Sequence, residues 1–194
     1  GLLTLEQQLR VIRVAARLGA QTLRLTGGEP LLSTRLLPLL QRVNDGRAVQ
    51  AQPWAGLREV ALTSNGVLLN RQRAEALRAA GLDRITISLD AMHGAVAARM
   101  AGLRGGAAAG DQLVQQVLSG LAAARSAGFD PAMGALKLNA VIRRDVNDDQ
   151  LLPLADLARQ QGMELRLIEY MDVGNRNGWH PGQVDPAEEM VPRI

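Results

Sequence analysis

Helix-like and strand-like hydrophobic patterns alternate along the chain. Over residues 5–16 apolar side chains recur every three or four positions, as on one face of a helix, whereas 23–26 alternates apolar with polar residues, as in a strand. Similar strand-like runs begin near residues 59, 84, 136 and 164, and a helix-like segment precedes each of them. Five strands that each follow a helix predict an α/β fold with a parallel sheet.

Local signals predict where several helices begin. Thr4 and Gln7 have the spacing of a capping box before the first helix, and Asn70 precedes a later helix as a candidate cap. Asn147 and Gln150 form another pair with capping-box spacing. We therefore expect helices to begin just after residues 4, 70 and 147.

Two stretches predict irregular structure instead. Residues 44–56 are mostly polar and contain Pro53 and Gly56, which is typical of a surface connection. Residues 102–110 are rich in glycine and alanine, which favours a flexible insertion, with the next helix beginning at Asp111.

The strands carry cations and polar groups opposite their apolar residues. In 136–141 the alternation places Lys137, the only lysine of the chain, and Asn139 on the face opposite the leucines. Arg24 and Arg166 hold equivalent positions in two other strands. If the helices cover the apolar face of a sheet that curls into a barrel, these polar residues point inward.

Three cations inside a barrel need negative partners, because a buried charge without one is costly. One interpretation is a phosphate clamp formed by Arg24, Lys137 and Arg166. The other is that each cation pairs with an acid of the fold, such as Glu169 or Asp90. The agreement of three separate strands favours the clamp, and both interpretations remain open at this point.

The carboxyl ends of the strands are polar or rich in glycine, which is where parallel α/β folds place their sites. Gly27 and Gly28 let a ligand approach the backbone closely, or they only form a tight turn. Glu29 stands beside Pro30 in the same loop. Its carboxylate is either an acceptor for a ligand ammonium or a solvated loop acid.

Composition excludes several classes of site. The 194 residues include no cysteine, so a disulfide, a zinc-thiolate site or a cysteine-held cluster has no ligand in this sequence. The only histidines, His93 and His180, are far apart, and no metal site made by the protein alone is expected. Aromatic residues make up 2% and the net charge is +3, which does not favour nucleic acid as a partner. No run is long enough to span a membrane.

Five segments resemble those of a known family. LRLTGGEPLL at 23–32 is similar to the GGEP segment of radical S-adenosylmethionine (SAM) enzymes, and LTSNGVLL at 62–69, ITISLDA at 85–91 and LKLNAVI at 136–142 fit later strands of that fold. IEYMDVGNRNGW at 168–179 resembles the corresponding segment of GTP 3′,8-cyclases, which act first in molybdenum-cofactor biosynthesis.

The resemblance implies a fold and a chemistry. The expected fold is the partial (β/α) barrel of radical SAM enzymes, here with five parallel strands, flanking helices and the first strand missing. The implied activity is that of a lyase that converts GTP to 3′,8-cyclo-7,8-dihydro-GTP. In this family SAM is cleaved at an N-terminal [4Fe–4S] cluster that an electron donor reduces, and a second cluster lies in a C-terminal extension. The resemblance also implies a cytoplasmic protein, and it leaves a homodimer open.

The same resemblance assigns site residues, although it assigns no catalytic side chain. The expected SAM contacts are Gly27, Gly28, Glu29, Ser88, Asn139 and Met171. The expected GTP contacts are Arg24, Thr63, Lys137 and Arg166. A basic residue that some members have two positions before Arg24 is Thr22 here.

The cysteine loops of the family are not in this sequence. We therefore expect a single domain over 1–194 that is incomplete at both ends, with the C-terminal extension beginning at 172, and no radical chemistry from the chain alone. Two alternatives remain: a non-catalytic nucleotide-binding module, or a radical SAM enzyme that acts on another phosphorylated substrate.

Overall fold

The fold is built on one parallel sheet of five strands. A computed structural model describes residues 3–49, 54–173 and 178–194. The strands are β1 (Thr22–Leu25), β2 (Glu59–Ser64), β3 (Arg84–Ser88), β4 (Leu136–Ile142) and β5 (Glu164–Glu169). They lie side by side in sequence order, and every neighbouring pair is parallel. The predicted α/β class with five parallel strands is confirmed.

Seven α-helices are found in the described residues. They are α1 (Leu5–Arg17), α2 (Leu36–Ala48), α3 (Arg71–Ala79), α4 (Gly94–Met100), α5 (Gly106–Ser126), α6 (Leu151–Gln161) and α7 (Ala187–Met190). In the described ranges, no helix combines the length and the hydropathy that a membrane crossing requires.

The sheet has an apolar face that packs against the helices. Leu62, Ile85 and Leu138 are fully buried on this face and form one cluster with helix residues such as Leu9 and Leu77. Burial of leucine and isoleucine side chains is the main stabilising contribution to such a layer. The opposite face, called the inner face below, carries the polar residues, as the alternation in the strands predicts; Arg84 and Thr86 are buried there, whereas Arg24 is exposed.

The predicted helix caps are right in two cases. Thr4 and Gln7 form a complete capping box at the start of α1, and the Asn70 side chain accepts a bond from the Arg73 N–H at the start of α3. These signals are local, because each capping side chain and the backbone N–H that donates to it are only three residues apart.

The third predicted cap is wrong, because the Asn147 side chain forms hydrogen bonds with residues outside the helix instead of capping it. Its side chain is fully buried, and Nδ2 donates to the carbonyl oxygens of Asp90 and Val141. The Gln150 side chain instead accepts bonds from the N–H groups of Met92 and His93. Both amides thus fasten the loops after β3 and β4 to each other.

The predicted surface connection over 44–56 is partly wrong, because α2 continues to Ala48. Gly46 lies within this helix, directly against the indole of Trp54, and a Cβ at Gly46 would stand 2.5 Å from a ring carbon. The glycine therefore makes room for the tryptophan rather than ending the helix. Residues 50–53 of the predicted connection lie outside the described residues.

The predicted flexible insertion over 102–110 is partly wrong, because 102–105 connect two helices but 106–110 are helical. The 21-residue helix α5 begins at Gly106, and the short helix α4 precedes it. The two helices cross where Gly94 meets Gly110, and a Cβ on Gly110 would come within 1.7 Å of the Gly94 carbonyl oxygen. Glycine is needed here for a close helix crossing, which composition alone does not distinguish from a flexible linker.

The last described segment, 178–194, packs beside the ends of β4 and β5. Arg144 forms ion pairs with Glu189 at 2.6 Å and Asp185 at 3.6 Å, and Arg193 approaches Asp185 at 2.9 Å. Asp185 is buried, and these two arginines compensate its charge.

Candidate functional site

Polar and charged residues from all five strands share the inner face of the sheet. Register partners in a parallel sheet point to the same side, and the pairings link Arg24 through Ala61 to Arg84, and Thr63 through Thr86 to Lys137. In the described strands they are Thr22, Arg24, Glu59, Thr63, Arg84, Thr86, Ser88, Lys137, Asn139, Glu164 and Arg166. The prediction that Arg24, Lys137 and Arg166 lie on one face is confirmed.

Two of these cations share one acid. The Lys137 ammonium donates to Oε2 of Glu164 at 2.5 Å, and Nε of Arg166 donates to Oε1 of the same carboxylate at 2.6 Å. These two hydrogen-bonded cations hold the pKa of Glu164 at about 2. The carboxylate thus stays ionised throughout the physiological range.

A second ion pair lies on the same face. Arg84 forms a bidentate pair with Glu59, with distances of 2.7 and 2.8 Å, and also donates to the hydroxyl of Thr86. The hydrogen bonds from Arg84 lower the pKa of Glu59 against the opposing effect of burial, and the charges of Lys137 and Arg24 lower it further. Lys137 and Arg24 therefore lie close enough to Glu59 to affect its ionisation.

The acids that the sequence suggested as partners have other roles. Glu169 accepts the N–H of Ala187 at 2.7 Å, and Asp90 accepts the N–H of Val141 at 2.8 Å. Burial raises the pKa of Asp90, partly offset by that backbone hydrogen bond. For Lys137 and Arg166, pairing with an acid of the fold is confirmed, but the acid is Glu164.

Sequence reasoning missed Arg84, Glu59 and Glu164 as members of the site. The strand-like runs around residues 59, 84 and 164 carried the signal, since each of these residues follows the polar alternation of its strand. The described part of this face carries four cations and two carboxylates, so positive charge is in excess there. Such a surface suits an anion with more than one negative charge.

Glu29 cross-links the loops after β1 and β2. Its Oε1 accepts the N–H of Leu31 and the hydroxyl of Ser64, and its Oε2 accepts the N–H of Asn65. The interpretation as a solvated loop acid is therefore wrong. A contact between Glu29 and a ligand stays a prediction, for which Oε2 has the more open lone pair.

The glycine loop leaves room for a ligand. Gly27 has a φ of +138°, which favours glycine, and a Cβ at Gly27 or Gly28 would meet no other atom within 4 Å. The open space above this loop is consistent with close approach of a ligand to its backbone.

The carboxyl ends of β3, β4 and β5 also offer polar and accessible groups. The buried Oδ1 of Asn139 has no hydrogen-bond partner within the described part of the chain, and such an orphaned acceptor is expected to meet a donor from a ligand or water. Ser88, Asn65 and Asp90 border a cavity of about 570 Å³. Met171, just after β5, is 58% exposed.

In the described part of the chain, side chains that could bind a metal do not form a cluster. Across 3–49, 54–173 and 178–194, no cluster of three or more histidine, cysteine, aspartate or glutamate side chains could hold a metal ion. The sequence contains no cysteine, so these residues do not fit an iron–sulfur cluster.

Comparison with known families identifies the family of this chain. The family described as the Radical SAM superfamily matches residues 1–158.

Curated relatives named GTP 3′,8-cyclase match the whole chain. The protein of Synechococcus sp. (strain CC9605) is 73% identical over 194 residues, which are 100% of this chain and 56% of the relative. That of Synechococcus sp. (strain WH7803) is 69% identical over 194 residues, with the same coverage. The protein of Xanthomonas campestris pv. campestris (strain B100) is 46% identical over 192 residues, which are 99% of this chain and 51% of the relative. The chain thus spans about half the length of the curated relatives it matches.

Solved structures show the same fold at low sequence identity. HydG, a maturase of the [FeFe]-hydrogenase, superposes with a TM-score of 0.65 at 13% identity, covering 95% of this chain and 40% of that one. Native anSMEcpe with bound AdoMet gives 0.61 at 14% identity, with coverages of 91% and 47%. Coproporphyrinogen III oxidase (HemN) from Escherichia coli, described as a radical SAM enzyme, gives 0.58 at 14% identity, with coverages of 96% and 43%. The expected partial barrel of the radical SAM type is confirmed.

Proposed function

Because the chain belongs to the radical SAM superfamily, we propose that it is the barrel portion of a GTP 3′,8-cyclase. This lyase converts GTP to 3′,8-cyclo-7,8-dihydro-GTP in molybdenum-cofactor biosynthesis. The proposal is supported by relatives of that name that are 73% and 69% identical over the entire chain. Because the chain spans about half of their length, the activity is proposed for the longer protein of which such a barrel is part.

The observation that carries the proposal is the excess of positive charge on the inner face of the sheet. Arg24, Lys137 and Arg166 come from three strands and share this face. Guanidinium and ammonium groups are the usual ligands of phosphate oxygens. We propose that they hold the triphosphate of GTP, and that the hydroxyl of Thr63 adds a hydrogen bond from the same face.

The proposed SAM site lies at the carboxyl ends of the strands. The backbone of Gly27 and Gly28 faces open space, and the orphaned Oδ1 of Asn139 can accept a hydrogen bond from a bound molecule. In our proposal Ser88 and Met171 add contacts, and Glu29 holds the glycine loop against the end of β2 and accepts from the SAM ammonium. When bound, SAM supplies the radical chemistry of the superfamily.

The roles of the chain's own residues are therefore binding and orientation. They hold the two ligands on one face of the sheet, with the anion among the cations and SAM at the strand ends. Since the sequence has no cysteine, its residues hold no cluster, and we assign no proton transfer or bond cleavage to any side chain. We propose a single domain over 1–194, with a C-terminal extension from 172, acting in the cytoplasm with an external electron donor.

A chimeric enzyme tests this function. The 194 residues replace the matching segment of the cyclase from Synechococcus sp. (strain CC9605), and the clusters are reconstituted anaerobically. We expect SAM- and GTP-dependent cyclised product. In this chimera Lys137→Ala should lower kcat/KM for GTP by about a hundredfold, because it removes a charge-assisted bond to the triphosphate.

A matched control is Arg71→Ala, which removes one cation from the exposed ion pair with Glu75 on α3. It should leave the turnover of GTP unchanged. The proposal is contradicted if the unaltered relative forms product and the chimera does not, or if both alanine variants behave alike.

A further inference from the structure

The two acids on the inner face are bound in different ways. Both oxygens of Glu59, whose side chain is 34% exposed, are held by the single guanidinium of Arg84, which is 8% exposed. Each oxygen of Glu164 instead meets a different cation, Lys137 or Arg166, and the Glu164 side chain is 46% exposed. Glu164 is therefore the more exposed acid, and an entering ligand has to break only one hydrogen bond to free each of its cations, rather than a bidentate pair.

The Glu164 carboxylate bridges two cations of the proposed anion site. It joins an ammonium from β4 to a guanidinium from β5, with one oxygen for each donor. A phosphate group offers the same arrangement, with two oxygens that face two donors. The contact that a polyphosphate needs is thus already made within the fold.

We propose that Glu164 is an internal counter-ion of the anion site, which holds Lys137 and Arg166 on the inner face when no anion is bound and competes with a polyphosphate for them. Glu164 thereby limits the affinity of the site. This inference rests on the proposed function, because it concerns the same anion site. It adds a residue that determines affinity and that the family resemblance does not assign.

The charges give the direction of the effect. Lys137, Arg166 and Glu164 carry one net positive charge together, and neutralising the acid raises this to two. Glu164 also repels an anion that approaches its two partners. Both effects grow with the charge of the ligand, so removal of the carboxylate should strengthen binding of tripolyphosphate more than binding of orthophosphate.

The experiment uses the single lysine as a reporter. Selective ¹⁵N,¹³C-lysine labelling of the 194-residue chain gives side-chain NMR signals from Lys137 alone, and its Cε resonance reports on the ammonium group. Sodium tripolyphosphate and sodium phosphate are titrated separately into the wild type and Glu164→Gln at low salt. Glutamine keeps the size and one acceptor oxygen of the side chain but removes its charge.

We expect Glu164→Gln to bind tripolyphosphate about tenfold more tightly than the wild type, with a smaller gain for orthophosphate. The gain should shrink as salt is added, because screening weakens the Coulomb energy. Glu75→Gln is the matched control, since it removes one carboxylate and its ion pair with Arg71 from the exposed face of α3. Its affinities should equal those of the wild type.

The inference alone is overturned if the wild type binds tripolyphosphate and Glu164→Gln binds it equally or more weakly. If neither protein shows binding although circular dichroism shows that both are folded, the result contradicts the anion site of the proposed function and this inference with it. If Glu164→Gln does not fold, Glu164→Asp is used in its place. Its shorter side chain cannot bridge both cations, so a smaller gain in affinity is expected, and no gain overturns the inference.

Discussion

At the scale of single residues, the charges of the inner face set the response to pH. Lys137 and Arg166 lower the pKa of Glu164 to about 2 from an ordinary value of 4.5, so the folded chain binds this proton less readily than the unfolded chain does. The stabilising contribution of the carboxylate is therefore complete above about pH 5 and is lost as the pH falls towards 2. Because the side chain is about half exposed, the contribution is modest, about 1 kcal/mol or less.

The measurement is the melting temperature of the wild type and of Glu164→Gln between pH 2 and 7. We expect the wild type to be more stable at neutral pH and the difference to vanish near pH 2. A difference that stays constant over this range would contradict the assigned ion pairs. The exposed control Glu75→Gln shows the effect of removing a carboxylate elsewhere.

The contribution of Asp90 to stability should depend on pH in the opposite direction to that of Glu164. Burial raises the pKa of Asp90 above its ordinary value of 3.8, so its ionised form is unfavourable in the folded chain at neutral pH. Asp90→Asn removes this charge, and the asparagine oxygen can still accept the N–H of Val141. We expect the variant to melt at a higher temperature at pH 7, by a few degrees, and to lose this gain as the pH falls from the raised pKa of Asp90 towards its ordinary value of 3.8. A lower melting temperature at pH 7 would contradict the role of burial.

Most inward-facing residues are predictable from the sequence because strand geometry is regular. Side chains alternate with a period of two, so the face of Lys137 follows from the leucines beside it. The partner of Lys137 is not predictable in this way. Glu164 lies 27 residues away and meets the lysine only because β4 and β5 pair in a particular register.

At the scale of elements, α5 depends on glycines that allow close packing. A Cβ on Gly110 would lie 1.7 Å from the Gly94 carbonyl oxygen, and one on Gly120 would lie 2.4 Å from the Gly66 carbonyl oxygen. Such contacts with backbone atoms cannot be relieved by rotation of a side chain. The helix therefore contacts α4 and the loop after β2 at distances that only glycine permits.

Gly110→Ala should consequently destabilise the chain by about 3 kcal/mol or more, although alanine has the higher helix propensity. Gly28→Ala is the control, because its Cβ would meet nothing within 4 Å and its φ is not in the left-handed region. The control should change the free energy of unfolding by no more than about 0.5 kcal/mol. Urea denaturation measures both variants. Equal stability of the two would contradict the close crossing of α4 and α5.

At the scale of the whole molecule, the sheet has two edges. In the described residues, β1 and β5 each pair with one strand, and β1 is only partly buried. Unpaired strand edges expose N–H and C=O groups to which other chains can add. We expect the 194-residue chain in isolation to associate as its concentration rises, and sedimentation velocity measures this. A monomer at every concentration, with a cooperative melt, would contradict the expectation.

The sequence alone determined the periodic features of this protein: the order of helices and strands, the parallel sheet, two helix caps and the inward face of Arg24, Lys137 and Arg166. These follow from local geometry, in which residues a few positions apart decide where a side chain points. Only the tertiary structure decided that glycine serves a close crossing at Gly110 rather than flexibility, and that Glu164 joins Lys137 to Arg166. Both depend on residues that are distant in the sequence and meet through packing and strand register, which local patterns do not encode.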